Sequence, residues 1–337
     1  MNDFFGTTAA IDELTLTPTL KRRTFWKTIF SFFIIYLLGS ILSGIISMIP
    51  MYSAMMNDPG VREVLYSENP SDTDLTNAML EVMNNLPQWM NAVSLLATAG
   101  LIFAVLFYSK KFENRRFATL GFIKKGAVSE YGIGIIVGLI LFVGAYGIML
   151  LSGEAQFFGF SDNISLPMLL LFFLGFLVQG MSEEILLRGY LFVSLSSTNN
   201  VPIAIIVNSF IFTWLHSSNS GVNTIAFLNL FLFGVLASLY FLRRGSIWGI
   251  AAVHSIWNFA QGNIFGCQVS GNNTMPSLFN TVYTTGNGLF NGGAFGPEGG
   301  LGVTIILLIG IVVLLFMKNK DVEIPMVRYF GEFQSDF

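Results

Sequence analysis

The chain has 337 residues, 53% of them hydrophobic and 11% charged, with a formal net charge of −3. Soluble domains carry about 25% charged residues, and the shortage here lies in runs of about 20 apolar residues, the length that spans ~30 Å of hydrocarbon as a helix. A water-soluble globular fold is therefore excluded, and a net charge this small with no basic stripe gives no footprint for nucleic acid.

Met1–Thr24 mixes polar and apolar residues and is expected to be a loose tail. Eight apolar runs follow: Phe25–Ile49, Trp89–Tyr108, Tyr131–Leu151, Leu166–Leu195, Val201–His216, Thr224–Leu242, Ile247–Phe265 and Leu301–Met317. The first is too long for a signal-peptide core and reads as a retained span. The fourth is long, so it is expected to tilt or protrude. The fifth is short and is expected to extend beyond these limits.

Basic residues flank the runs unevenly. Lys21, Arg22, Arg23 and Lys27 precede the first span, and Lys110, Lys111, Arg115, Arg116, Lys124 and Lys125 join the second to the third. Arg243 and Arg244 join the sixth to the seventh, and Lys318, Lys320 and Arg328 follow the eighth. An even number of spans puts all four clusters on one side, which the positive-inside rule makes cytoplasmic. The other side holds Tyr52–Pro87, acidic through Asp58, Glu63, Glu68, Asp72, Asp74 and Glu81 with Arg62 its only base, and the nearly uncharged Cys267–Gly300. The expected fold is an all-α, polytopic membrane helix bundle of about eight transmembrane helices, with both termini cytoplasmic, multi-pass in the cell membrane and in contact with the lipid bilayer.

Several smaller signals carry less. Gly286–Gly302 lacks the Lys-Ser/Thr and the strand–turn–helix context of a phosphate cradle and reads as a flexible outer loop. Gly134-x-x-x-Gly138 invites a close helix neighbour. Asn163-Ile-Ser165 and Asn272-Asn-Thr274 match the glycosylation triplet, a pattern short enough to arise by chance. Cys267, the one cysteine, has no disulfide partner and reads as a packed side chain.

The chemistry lies in the few ionisable residues placed inside apolar runs. Glu183, Glu184 and Arg188 fall in the fourth span, and the chain's two histidines, His216 and His254, fall in the fifth and seventh. Such groups are costly at membrane depth, so they face protein or water and mark a site. Glu184 and Arg188 are four apart and can pair on one helical face, while Glu183, about 100° around the helix, can point elsewhere. His254 and Asn258 also share a face. Three helices can thus bring together one free carboxylate, two imidazoles and an amide. A carboxylate in an apolar pocket is a stronger base near neutral pH. Glu183 could take a proton from water held by His216, and His254 and Asn258 could stabilise an oxyanion. Glu184–Arg188 would neutralise buried charge and fix the helix rotation. A two-His-one-carboxylate zinc site is conceivable, but His-Glu-x-x-His is absent, and no metal or other cofactor is expected.

Glu183-Glu184-Ile-Leu-Leu-Arg188-Gly189-Tyr190-Leu191, Phe212-Thr-Trp-Leu-His216 and His254-Ser-Ile-Trp-Asn258 resemble, in order, spacing and helical placement, the three motifs of the type II CAAX prenyl endopeptidase and bacteriocin-processing (CPBP, or Abi) family. The resemblance covers roughly residues 120–265. Leu187 departs from the pattern, where the family often has an aromatic residue. The resemblance implies an intramembrane peptidase without metal, with Glu183 and His216 activating water and His254 and Asn258 serving the oxyanion. It divides the chain into a tail (1–24), two additional spans with an acidic outer loop (25–119), the CAAX-protease-like core (120–265), a Gly/Asn-rich outer loop (266–300), and a last span with a cytoplasmic tail (301–337). The expected partner is a peptide or membrane-protein substrate, entering a cavity open towards the cytoplasm. A non-proteolytic immunity or signalling partner and an ion-coupled transporter are the alternatives. His216 is the awkward residue, because a helix starting at Val201 carries it to the outer end while Glu183 and His254 sit in the cytoplasmic halves of their spans.

Overall fold

The computed structural model describes residues 5–16, 24–67, 71–84, 87–162, 164–272, 276–284, 286 and 288–321. Lys21, Arg22, Arg23, Glu68 and Arg328, and Asn163, Asn273 and Thr274 of the two glycosylation triplets, lie outside the described residues.

Helix dominates, as the apolar runs require. The helices, in chain order, are α1 (Ala9–Leu16), α2 (Phe25–Asn57), α3 (Pro59–Leu65), α4 (Asp72–Asn84), α5 (Trp89–Ala97), α6 (Ala99–Lys111), α7 (Ala127–Leu151), α8 (Leu166–Glu184), α9 (Val193–Thr198), α10 (Val201–His216), α11 (Thr224–Arg244), α12 (Ile247–Phe259) and α13 (Leu301–Phe316). Two strands, β1 (Ala155–Phe160) and β2 (Phe279–Tyr283), pair antiparallel. Five helical stretches are long and apolar enough to cross a membrane: Phe25–Asn57, Trp89–Lys111, Ala127–Leu151, Leu166–Thr198 and Thr224–Arg244. Val201–His216 and Leu301–Phe316 are shorter apolar helices, and α12 is lengthened by a π-helical turn, Ala260–Ile264.

Three expectations need correcting, and the acidic loop shows detail that the sequence did not give. The N-terminal tail is not loose throughout: α1 buries Ala10, Ile11 and Leu14 in the main core, because its apolar residues recur at helical spacing. The acidic loop carries α3 and α4, and Asp58 caps α3 by accepting from Gly60 N and Val61 N. The Gly/Asn-rich segment contains β2 and a packed turn in which Gly292, Gly293, Gly296, Gly299 and Gly300 are buried. Finally, α10 does not extend: the Asn200 side chain caps its start on Ile203 N, and it closes at His216.

Small residues let the helices meet. A Cβ on Gly134 would lie 2.2 Å from the Gly249 carbonyl oxygen, and one on Gly138 would lie 2.6 Å from that of Val253, so α7 and α12 touch backbone to backbone. Gly180 brings α8 equally close to α12 at Ser255, and Gly234 brings α11 against Ser209 of α10. These four contacts hold α7 and α8 against α12, and α11 against α10.

The bundle has two distinct ends. At one, Arg244 holds Glu130 with two hydrogen bonds (2.9 and 2.7 Å), Lys320 joins the same carboxylate at 2.6 Å, Arg243 reaches Leu314 O, and Arg116 pairs with Glu13 of α1. At the other, the β1–β2 sheet sits beside Glu154, which accepts from the backbone of Leu289, Phe290 and Asn291, while Asn229 donates to the carbonyls of Glu298 and Gly300. The connections that the charge count assigned to one side thus share one end of the molecule.

Gly138→Leu is expected to force α7 and α12 apart and to lower the melting temperature in detergent by several degrees, as overpacking does. Gly147→Leu, where an added Cβ meets nothing within 4 Å, should melt like the unaltered chain, measured by a dye- or scattering-based thermal scan of both variants.

Candidate active site

Glu183 and Glu184 end α8, and the chain then runs into a π-helical stretch, Ile185–Phe192. Widened turns of this kind recur at functional sites and free backbone carbonyls. Here Asn208 Nδ2 of α10 satisfies the Leu187 carbonyl at 2.7 Å, and Gly189 is required because a Cβ there would lie 2.8 Å from Leu120 O.

The Glu184 carboxylate is fully buried and is shared. Arg188 donates to Oε1 at 2.8 Å, and His254 Nδ1 donates to the same oxygen at 2.8 Å. The Arg188 guanidinium, also fully buried, lies 5.1 Å from the centroid of Phe212 and donates to the Gly234 carbonyl. One carboxylate thereby ties α8 to α12 and, through Arg188, to α10 and α11.

Glu183 points the other way, into a cavity. Its Oε1 accepts from Gln179 Nε2 at 2.5 Å. Its Oε2 lies 3.7 Å from His216 Nε2 and 3.8 Å from His254 Nε2, and no protein donor hydrogen-bonds to it among the described residues. His216 Nδ1 is held by the Phe212 carbonyl at 2.9 Å, so that in the neutral ring Nδ1 carries the hydrogen and Nε2 faces the carboxylate. Asn258 Nδ2 reaches Gln179 Oε1 at 3.1 Å, completing a chain Asn258–Gln179–Glu183. Glu183, His216, His254 and Asn258 therefore line one cavity, and Glu184 and Arg188 lie behind it. Because α10 stops at His216, its terminal imidazole sits beside the middle of the fourth helical segment, and the expected conflict of depth does not arise.

The cavity has a volume of about 600 Å³. Among the polar residues of its wall that sequence reasoning missed are Gln179 and Glu298. Gln179, four residues before Glu183 on the same face, was visible as a lone amide in an apolar run. Glu298, near the end of the Gly-rich segment, had no sequence signal. It accepts from Ser270 N (2.6 Å), Ser270 Oγ and Gln261 Nε2 (3.1 Å), and burial pushes its carboxyl above the ordinary range against those hydrogen bonds. The wall opposite the motifs comes from α2 and α5, through Ser40, Ser43, Asn91 and Ser94. Cys267 is 1% exposed, and burial pushes its thiol up to about 12, so it offers no thiolate to the site. Among the described residues, no group of three or more His, Cys, Asp or Glu side chains has a metal-holding arrangement.

Residues 165–260 match the family model for type II CAAX prenyl endopeptidase Rce1-like proteins. That stretch is a CAAX-protease-like segment. It holds all three motifs, whereas α2, α5, α13 and the Gly-rich turn, which complete the cavity, lie outside it. No curated protein and no solved structure matches the chain.

Arg188→Met should leave the Glu184 carboxylate buried with one partner fewer and cost about 3–5 kcal/mol of stability. Reversible denaturation in mixed micelles would measure the loss, and a change below about 1 kcal/mol would show that the pair does not carry the site's architecture.

Proposed function

We propose that the chain is an intramembrane endopeptidase that hydrolyses a peptide bond of a membrane-associated peptide or protein with water activated by Glu183. The carrying observation is that Glu183 Oε2 faces two imidazole Nε2 atoms, at 3.7 and 3.8 Å, on the wall of a cavity of mixed polar and apolar lining between apolar helices. The match of the motif-bearing segment to the CAAX prenyl endopeptidase model supports the same reaction class. The bundle is read as about eight spans with the basic end cytoplasmic, following the charge asymmetry of its connections.

The chemistry follows from the tautomers. A water oxygen about 2.8 Å from both Glu183 Oε2 and His216 Nε2 can donate one hydrogen to each, which leaves a lone pair for the scissile carbonyl. Attack forms the new C–O bond, and the water proton passes to Glu183. The oxyanion needs donors. His254 Nδ1 already donates to Glu184, so its Nε2 can donate only as the imidazolium, which the Glu184 carboxylate stabilises. Asn258 has a second amide hydrogen beyond the one given to Gln179. Collapse of the tetrahedral intermediate breaks the C–N bond, and the proton on Glu183 leaves with the amine. Glu183 thus serves as base and then as acid. Among the described residues the cavity wall carries no Lys or Arg, and recognition of a prenylated terminus is not part of the reading.

Comparative membrane proteomics of cells carrying the unaltered chain or Glu183→Gln should reveal a peptide that accumulates uncut. With that peptide and purified protein, Glu183→Gln should lower the cleavage rate by about 10²–10⁴-fold, and His254→Ala by about 10²–10³-fold. Full activity of Glu183→Gln would end the peptidase reading and favour a non-catalytic partner.

Removal of metal provides a separate check. Cleavage by purified protein should survive incubation with EDTA and with 1,10-phenanthroline. Loss of activity that zinc restores would replace the free carboxylate by a metal-bound water.

A further inference from the structure

Two structural observations and the charge pattern bear on the side from which substrate reaches the site. The first is a seal. From Glu184 to Ser196 every residue is buried, and so are Leu236–Arg243 of α11 and Gly249–Asn258 of α12. At no more than the α-helical 1.5 Å per residue, the first of these stretches closes up to about 18 Å of bundle between Glu183 and the end that carries Arg243, Arg244 and Lys320. The Glu184–Arg188 pair lies within this seal and has no solvent access.

The second is the origin of the cavity wall. Apart from helix residues, the wall is made by Asn219, Val269, Ser270, Asn272 and Glu298. All five come from the connections at the sheet end of the bundle, where Asn219 Nδ2 donates to Ser270 O at 3.0 Å. No wall residue comes from the basic connections 112–126, 245–246 or 317–321.

The charge pattern then names the two ends. Lys110, Lys111, Arg115, Arg116, Lys124, Lys125, Arg243, Arg244, Lys318 and Lys320 gather at the sealed end, whereas Arg62 is the only described Lys or Arg in the connections of the sheet end. Basic connections stay in the cytoplasm. We infer that the site is entered from the non-cytoplasmic face, and that its substrate is a polypeptide segment exposed on that face or lying in the outer leaflet. This rests on the peptidase reading for the word substrate, but the side of entry stands on the fold and charge alone. It reverses the cytoplasmic opening expected from the sequence. That expectation placed Glu183 and His254 by their distance from the span ends and did not foresee that the outer connections dip down to meet them.

The test uses the full chain in a bacterial inner membrane. Cys267 is the only native cysteine and is 1% exposed, so the unaltered chain provides the unlabelled background. Ser218→Cys and Asn219→Cys place a thiol at the cavity mouth, and Lys125→Cys places one at the sealed end. In spheroplasts, a membrane-impermeant maleimide should label the two mouth variants at least tenfold faster than Lys125→Cys, and inside-out vesicles should reverse the order. Labelling of both mouth variants only in inside-out vesicles, or of Lys125→Cys in spheroplasts, overturns the inference. A second arm asks about the route of substrate. Once a cleaved peptide is known, a bulky maleimide added to Ser218→Cys from outside should lower its cleavage at least tenfold, and unchanged cleavage overturns entry by this mouth. The labelling arm needs no catalysis, so failure of the peptidase reading and failure of the topology remain distinguishable.

Discussion

The structure depends on the way one buried carboxylate is shared. Glu184 Oε1 takes a hydrogen bond from Arg188 on its own helix and another from His254 on α12. Burying that charge is tolerable only with both partners in place, so the rotation of α8 about its axis is fixed to within the reach of two short hydrogen bonds. That rotation places the adjacent carboxylate, Glu183, on the cavity side, where its neighbours are Gln179, His216 and His254. The same interaction also fixes His254 by Nδ1 and leaves its Nε2 for the reacting atoms. A single buried group therefore aligns two elements of the proposed chemistry.

The apolar bundle supplies what the polar cluster cannot. Close contacts at Gly134, Gly138 and Gly180 hold α7 and α8 against α12, and one at Gly234 holds α11 against α10, so the helices that carry the site residues are closely packed. The π-helical stretch after Glu184 disturbs the backbone where Arg188 must turn inward, and Asn208 satisfies the Leu187 carbonyl that it frees. In a low-dielectric interior such satisfied polar groups are stiff, and unsatisfied ones are expensive. Glu183 Oε2 is one of several buried atoms without a protein hydrogen bond, Glu184 Oε2 and Arg188 Nε among them, and its residue is the one of these that lines the cavity, with two imidazoles near it.

Much of this was legible in the residues. Each of the eight apolar runs is helical at least in large part, and the i,i+4 spacing of Glu184 and Arg188 reported their pairing, as Gly134 and Gly138 reported a close neighbour. Gln179 was equally legible, since it stands four residues before Glu183 on the same face. The connections were not. Residues 265–300 are rich in Gly and Asn and carry no hydrophobic period, and the backbone of their described part is satisfied by Glu154 and Asn229 from elsewhere in the chain. Those are long-range contacts without a local signature, and they decide which end of the cavity is open. Glu298 was hidden for the same reason. The short tail helix α1 was overlooked because eight residues give a weak period beside long apolar runs.

The central claim is that the Glu183 carboxylate stands against both imidazoles while Glu184 holds only one. The chain has just two histidines, so selectively ¹⁵N-labelled imidazoles give an assignable magnetic resonance spectrum of the purified protein in lipid. The account expects Glu183→Gln to shift the Nε2 signals of both rings and Glu184→Gln to shift chiefly the Nδ1 signal of one, His254. Both rings unmoved by Glu183→Gln would place that carboxylate elsewhere and contradict the account.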